Sequence, residues 1–159
     1  MSTNAELYEQ DFYAWTQTTA ALIRAGKWYD LDRDALAEEI ETLGKRDWRE
    51  LASRIAVLLR HLLKWRYQPE RRQRGRSWRS TIWEQRGRLR RLLRQSPSLA
   101  PVVLQTIQEE YAEARQRASE ETGLPLTTFP EACEWTAEQV LDANFWPDEP
   151  QERSPTDTR

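Results

Sequence analysis

The chain has 159 residues and a net charge of −2, with 38% hydrophobic and 31% charged residues. This composition excludes an intrinsically disordered chain, and the length suits one domain that buries a real core. One cysteine excludes an internal disulfide, no apolar run approaches the roughly 18 residues of a membrane span, and no signal peptide begins the sequence, so we expect a cytoplasmic protein.

Charge is unevenly distributed along the chain. Residues 60–94 contain 13 Lys and Arg but only two acidic residues, Glu70 and Glu84, a local excess of +11 that leaves −13 for the remainder. A basic segment of this kind attracts phosphate groups. Charge pairing with the acidic remainder, within the chain or in a second copy, is the simpler interpretation and the one we favour.

The spacing of apolar residues predicts helices throughout the chain, with no strand-like alternation. The first helix is predicted over 11–24 and ends at Gly26, which suits the position after a helix end. A second begins after Asp32, a plausible N-cap. Its predicted inner face consists of Leu36, Ile40 and Leu43. Gly44 either ends this helix or lies inside one long helix that continues into the next segment, and the sequence leaves both open.

The strongest apolar pattern predicts a central helix that ends near Gln68, because Pro69 disfavours helical geometry in the residue before it. Its face consists of Trp48, Leu51, Ile55, Leu58, Leu62 and Trp65. A fourth helix is predicted from a cap at Ser77 to before Pro97, with Gln85 near the centre of its inner face. An amide in that position needs hydrogen-bond partners.

Ser98 is a predicted N-cap for a fifth helix that stops at Gly123, and Thr136 with Gln139 predicts a capping box for a short sixth helix. The sequence therefore predicts an all-α fold, an antiparallel bundle of five long helices and a short C-terminal helix. We expect one domain over residues 7–146 and a disordered polar tail over 147–159.

Five segments in this order resemble the largely cyanobacterial family known as domain of unknown function twenty-nine. They are YEQDFYAWTQTTAALIRAG at 8–26, LAEEIETLG at 36–44, HLLKWRYQP at 61–69, SWRSTIWEQR at 77–86 and SPSL at 96–99. The resemblance covers roughly residues 7–146 and implies an all-helical bundle. It implies no activity, since the function of the family is unknown.

The only histidine, His61, falls at the edge of the apolar face of the central helix, and Glu39 occupies the corresponding edge of the second helix. If those edges meet, the two side chains form a half-buried acid–base pair of the kind that serves catalysis. The chain has no second histidine, no Glu-x-x-His motif and no Gly-rich phosphate loop, so we predict no metal and no cofactor. A histidine at a helix interface, hydrogen-bonded to an acid, is the simpler interpretation.

Six arginines surround the predicted loop between the third and fourth helices and alternate with Tyr67 and Trp78. They are Arg66, Arg71, Arg72, Arg74, Arg76 and Arg79. Guanidinium groups bind phosphate as forks and exposed aromatic rings stack on unpaired bases, so the pattern indicates a phosphate-binding or acidic-partner surface. A solvated arginine-rich loop without a partner explains the same residues.

Three functions follow in order of preference. The first is a non-catalytic helical protein that acts through protein–protein contacts, with another protein or a second copy as its partner. The second is a nucleic-acid-binding protein that uses the arginine-rich segment 66–94. The third is a metal-assisted or acid–base hydrolase built around Glu39 and His61.

Overall fold

The computed structural model of the protein describes residues 2–72 and 76–147, and for Arg76 it describes only the backbone. Six α-helices and no strand are present in these residues, which confirms the all-α class. The helices are α1 (Asn4–Gln10), α2 (Phe12–Arg24), α3 (Arg33–Tyr67), α4 (Arg76–Gln95), α5 (Val103–Thr122) and α6 (Ala137–Leu141). No helix in this part of the chain is long and apolar enough to cross a membrane.

Gly44 lies inside α3, so the predicted second and third helices form one helix of 35 residues. A glycine inside a helix costs about 1 kcal/mol relative to alanine, which is not enough to end a helix of this length. The short helix α1 precedes the predicted first helix and begins with a capping box between Thr3 and Glu6. The sequence pattern did not predict it, because seven residues carry too little periodicity.

Several helix ends lie where the capping residues predict them. Asp32 caps α3 through a hydrogen bond from the Ala35 amide (3.1 Å), and Gly123 ends α5 with a left-handed φ of 73°. Thr136 and Gln139 form the predicted capping box of α6. The predicted cap at Ser98 is wrong: residues 97–102 form a 3₁₀ helix, and α5 begins only at Val103.

The described residues cluster into two compact units, divided between residues 46 and 47. The first unit comprises α1, α2, a 3₁₀ turn at Trp28–Asp30 and the beginning of α3. Its buried residues are Trp15, Thr19 and Ala35. The prediction of one domain over 7–146 stays a prediction, and the predicted tail, except Pro147, lies outside the described residues.

The side-chain amide of Asn4 connects three segments of the first unit. Its Nδ2 donates to the Thr19 hydroxyl (3.0 Å), while its Oδ1 accepts hydrogen bonds from Trp15 Nε1 (3.2 Å) and from the backbone amide of Asp32 (3.0 Å). The Trp15 ring packs edge-on against Tyr8, with 4.8 Å between ring centroids. The small core of this unit is therefore organised by a polar group and one tryptophan.

The second unit buries a continuous apolar core supplied by α3, α4, α5, α6 and the following loops. The predicted face of the central helix is buried from Leu51 to Trp65, but Trp48 is 46% exposed, so the prediction is wrong at that position. The centre of the core consists of Leu51, Ile55, Leu58 and Leu62 from α3, and of Val103, Ile107, Tyr111, Ala114 and Ala118 from α5. On α4 the inner position between Ile82 and Leu89 belongs to Arg86, which is 1% exposed, and not to Gln85. Gln85 instead accepts a hydrogen bond from Arg54 (3.2 Å) at the edge of this face.

Candidate functional site

The structure gives the two predicted catalytic side chains separate surroundings. The Glu39 carboxylate accepts a hydrogen bond from the Tyr8 hydroxyl (2.7 Å), and the His61 Nδ1 lies 2.8 Å from the Val57 carbonyl oxygen. Both residues lie on the same helix, α3, 22 positions apart, whereas the prediction placed them on two different helices whose edges meet.

The titration behaviour of these groups fits structural roles. Burial is the main cause that lowers the pKa of His61, and the positive charges of Lys64 and Arg60 lower it further. A neutral ring can donate its Nδ1 proton to the Val57 carbonyl. The hydrogen bond to Glu39 is the main cause that raises the pKa of Tyr8 to about 12. Within the described residues, no three potential metal-ligating side chains lie together.

The predicted arginines divide into exposed residues and residues that stack on aromatic rings. Arg71 is exposed, and the Arg66 guanidinium lies 5.6 Å from the Tyr67 ring centroid. Arg72 lies 5.1 Å from the Trp65 ring centroid and donates through Nε to the Trp65 carbonyl oxygen (2.7 Å). Arg79 lies 5.2 Å from the Trp146 ring centroid. Arg74 and the Arg76 side chain lie outside the described residues.

Arg72 and Arg79 meet at one open cavity of about 800 Å³, which we call the tryptophan cleft. Three indole rings contribute to its wall. The cleft is lined by Trp65, Pro69, Arg72, Arg79, Ser80, Trp83, Ala143, Asn144 and Trp146. The structure thus combines two of the predicted arginines with tryptophans that come from three different parts of the chain.

Arg86 positions one wall of this cleft. Its guanidinium donates to the carbonyl oxygens of Val140 (2.9 Å), Phe145 (2.7 Å) and Gln139 (3.2 Å). It also lies 5.6 Å from the ring centroid of Trp146, which stands 4.7 Å from the Trp65 centroid. Burial is the main cause that lowers the pKa of Arg86 to about 10, so the group stays charged at neutral pH. The chain after α6 is therefore held against α4.

No sequence signal identified this role of Arg86. Its partners are three backbone carbonyls, which any residue type provides, so no acidic residue at a characteristic spacing marks the site. Periodicity places positions 82, 86 and 89 on one face as well as 82, 85 and 89.

A second feature lies in the first unit, where every residue from 40 to 46 is exposed although the segment is helical. We call residues 40–46 the exposed helix segment. Ile40 is 60% exposed and Leu43 is 57% exposed, so the predicted inner face of this part of α3 is wrong. The prediction assumed that an apolar stripe on a helix is always covered by the same chain.

Comparison with known families identifies the chain. The sequence profile described as "Domain of unknown function DUF29" matches residues 7–146. The chain belongs to the DUF29 family. No curated protein and no solved structure matches it.

Membership of the DUF29 family confirms the resemblance drawn from the sequence segments, and the matched residues include both the tryptophan cleft and the exposed helix segment. The family description contains no activity, substrate or partner. A function for this DUF29 chain is therefore argued from its own surfaces.

Proposed function

We propose that this DUF29 protein is a non-catalytic cytoplasmic protein that acts through protein–protein contacts, and that it forms a dimer through the exposed helix segment. The observation that carries this proposal is the exposure of two large apolar side chains, Ile40 and Leu43, on a helical segment that is exposed on all sides. A helix derives most of its stability from tertiary packing of its apolar face. A partner that covers this face supplies the missing packing.

Gly44 supports a helix as the partner. A Cβ atom built at this position has no neighbour within 4 Å, so packing inside the chain does not require glycine there. Glycine at a helix surface allows the backbone of another helix to approach closely. The cost of about 1 kcal/mol relative to alanine is then offset by the contact that the missing side chain permits.

The order of charges supports a second copy of this chain as the occupant. Glu39, just before the segment, and Arg46, at its end, lie about 100° and 120° from Ile40 in the same direction around the helix, so both flank the apolar face. When two such helices pack antiparallel about a two-fold axis near residue 42, Glu39 of each copy lies near Arg46 of the other. The same axis places Ile40 of one copy opposite Leu43 of the other.

Sedimentation velocity across about a hundredfold concentration range tests the proposal. We expect a reversible monomer–dimer equilibrium that Leu43→Asp weakens by at least about tenfold, because the substitution places a charge in the centre of the contact. Leu104→Asp is the matched control, since Leu104 is an exposed leucine on α5, and it should leave the equilibrium unchanged. A chain that stays monomeric at the highest concentration contradicts the proposal.

A charge exchange tests the antiparallel order. The variants Arg46→Glu and Glu39→Lys should each dimerise poorly alone, because like charges then face each other. Mixed in equal amounts, they should form a heterodimer, since both ends regain opposite charges. Glu39→Lys also removes the acceptor of the Tyr8 hydroxyl, so Tyr8→Phe is its control and should leave dimerisation unchanged. Failure of the mixture to dimerise, with both chains folded, would exclude this orientation.

A further inference from the structure

We propose that the tryptophan cleft binds a nucleotide unit, a planar base that carries a phosphate group. This site lies entirely in the second unit and is independent of the proposed dimer contact. The cavity of about 800 Å³ falls in the range of about 300–1,000 Å³ that is typical of small-molecule sites.

The phosphate would be bound by the arginines of the cleft. Arg79 makes no hydrogen bond and no ion pair with any of the described residues, and its guanidinium is held over the Trp146 ring. A guanidinium that stacks on an aromatic face keeps its in-plane N–H groups for a phosphate fork. Arg72 adds a second positive charge to the same wall. None of the described residues that line the cleft is acidic.

The base would be bound by stacking. Trp83 is 67% exposed at the cleft, so most of its ring is accessible to a ligand. Stacking of bases on aromatic side chains is sequence-tolerant and contributes most where the ring is already fixed in place. Ser80 and Asn144, which also line the cleft, carry a hydroxyl and an amide that can bond to a sugar or to the edge of a base.

The exposed ring of Trp83 favours a nucleotide over an acidic peptide. Carboxylates of a peptide would also pair with Arg72 and Arg79, but aspartate and glutamate offer no flat ring to stack on Trp83. Inorganic phosphate would use the arginines and leave Trp83 unused. The ligand that satisfies both kinds of side chain is a phosphate joined to a planar ring.

Fluorescence anisotropy of a labelled single-stranded RNA of about eight nucleotides, with the full chain at low salt, tests the site. We expect binding that weakens steeply as salt increases. The variants Trp83→Ala and Arg79→Ala should each weaken it by at least about tenfold, and Trp83→Phe should retain most of it, because a phenyl ring still stacks. Trp28→Ala and Arg90→Ala, which change an exposed tryptophan and an exposed arginine that do not line the cleft, should change it by less than about twofold.

Competition identifies the source of the nucleotide. Displacement of the RNA by 5′-AMP but not by inorganic phosphate means that a free nucleotide is sufficient. If 5′-AMP does not displace the RNA but the two cleft variants still lose RNA binding, a strand is required. Both results support the proposal. No RNA binding at low salt, an equal loss in Arg79→Ala and Arg90→Ala, or stronger displacement by an acidic peptide than by 5′-AMP would each overturn it. Circular dichroism spectra of all variants verify that they are folded.

Discussion

Each of the two units is tied together by one polar side chain that bonds to several segments, but the two side chains differ in charge and in what surrounds them. In the first unit the neutral amide of Asn4 connects Trp15, Thr19 and Asp32. In the second unit the charged guanidinium of Arg86 connects α4 to three carbonyls between residues 139 and 145. The amide is only partly buried, whereas the guanidinium is almost completely buried.

The two units also differ in how much apolar surface they expose. Seven of the eleven large apolar side chains that are clearly exposed in the described residues belong to the first unit, which has few buried residues of its own. The second unit buries most of its large apolar residues in one core and exposes arginine around the tryptophan cleft. A small core therefore leaves apolar surface that a protein partner can cover, whereas a large core can hold charged side chains in place for an anionic ligand.

The largest effect is expected for the replacement of Arg86. Arg86→Met keeps an apolar stem of similar length but removes three charge-assisted hydrogen bonds, so we expect the free energy of unfolding to fall by about 3–5 kcal/mol. Urea unfolding followed by circular dichroism measures this change. Arg90→Met is the control, because Arg90 is exposed on the same helix and its replacement should cost less than about 0.5 kcal/mol. Equal stability of the two variants would show that Arg86 does not hold the segment after α6.

A smaller and more local effect is expected for Asn4→Ala. Loss of the amide leaves the Trp15 Nε1 and the Asp32 amide without their acceptor, which costs about 1–3 kcal/mol. Amide hydrogen exchange should therefore accelerate in α1 and α2 and stay unchanged in α4 and α5. Asn144→Ala, in which no side-chain hydrogen bond between described residues is lost, is the control for the substitution itself. Uniform acceleration over the whole chain would contradict the separate role of Asn4.

The sequence predicted those parts of the fold that depend on local chemistry. Asp32, Thr136 and Gly123 act within one or two turns of their own helix, so their residue type is sufficient to place a helix end. The buried stripe of α3 from Leu51 to Trp65 was predicted from its spacing, because large apolar residues at helical spacing have few alternatives to a core. The all-α class follows from these two signals together.

The candidate sites depend on contacts between distant segments, which residue types alone do not specify. The arginine-rich segment was predicted as a surface, but the positions of Trp83 and Trp146 at its cleft follow from Arg86 and its backbone partners. The exposure of Ile40 and Leu43 was not predictable either. An apolar stripe has the same pattern whether its own chain or another one covers it.

The smallest predicted effect concerns pH and the region around His61. Burial, with Lys64 and Arg60 nearby, lowers the folded-state pKa of His61 below its ordinary value of 6.5, while Glu121 acts in the opposite direction. Near pH 6.5 the unfolded chain therefore binds a proton that the folded chain does not yet bind. The free energy of unfolding consequently falls as pH decreases from 6.5 to the folded-state pKa. Above pH 6.5 both states hold a neutral ring and this contribution does not change.

Because His61 is the only histidine, its ring signals in an NMR titration report the folded-state pKa directly. His61→Gln should remove this part of the pH dependence and leave that of the carboxylates. A measured pKa at or above 6.5 would show that the ring is solvated and that its bond to the Val57 carbonyl does not require the neutral form.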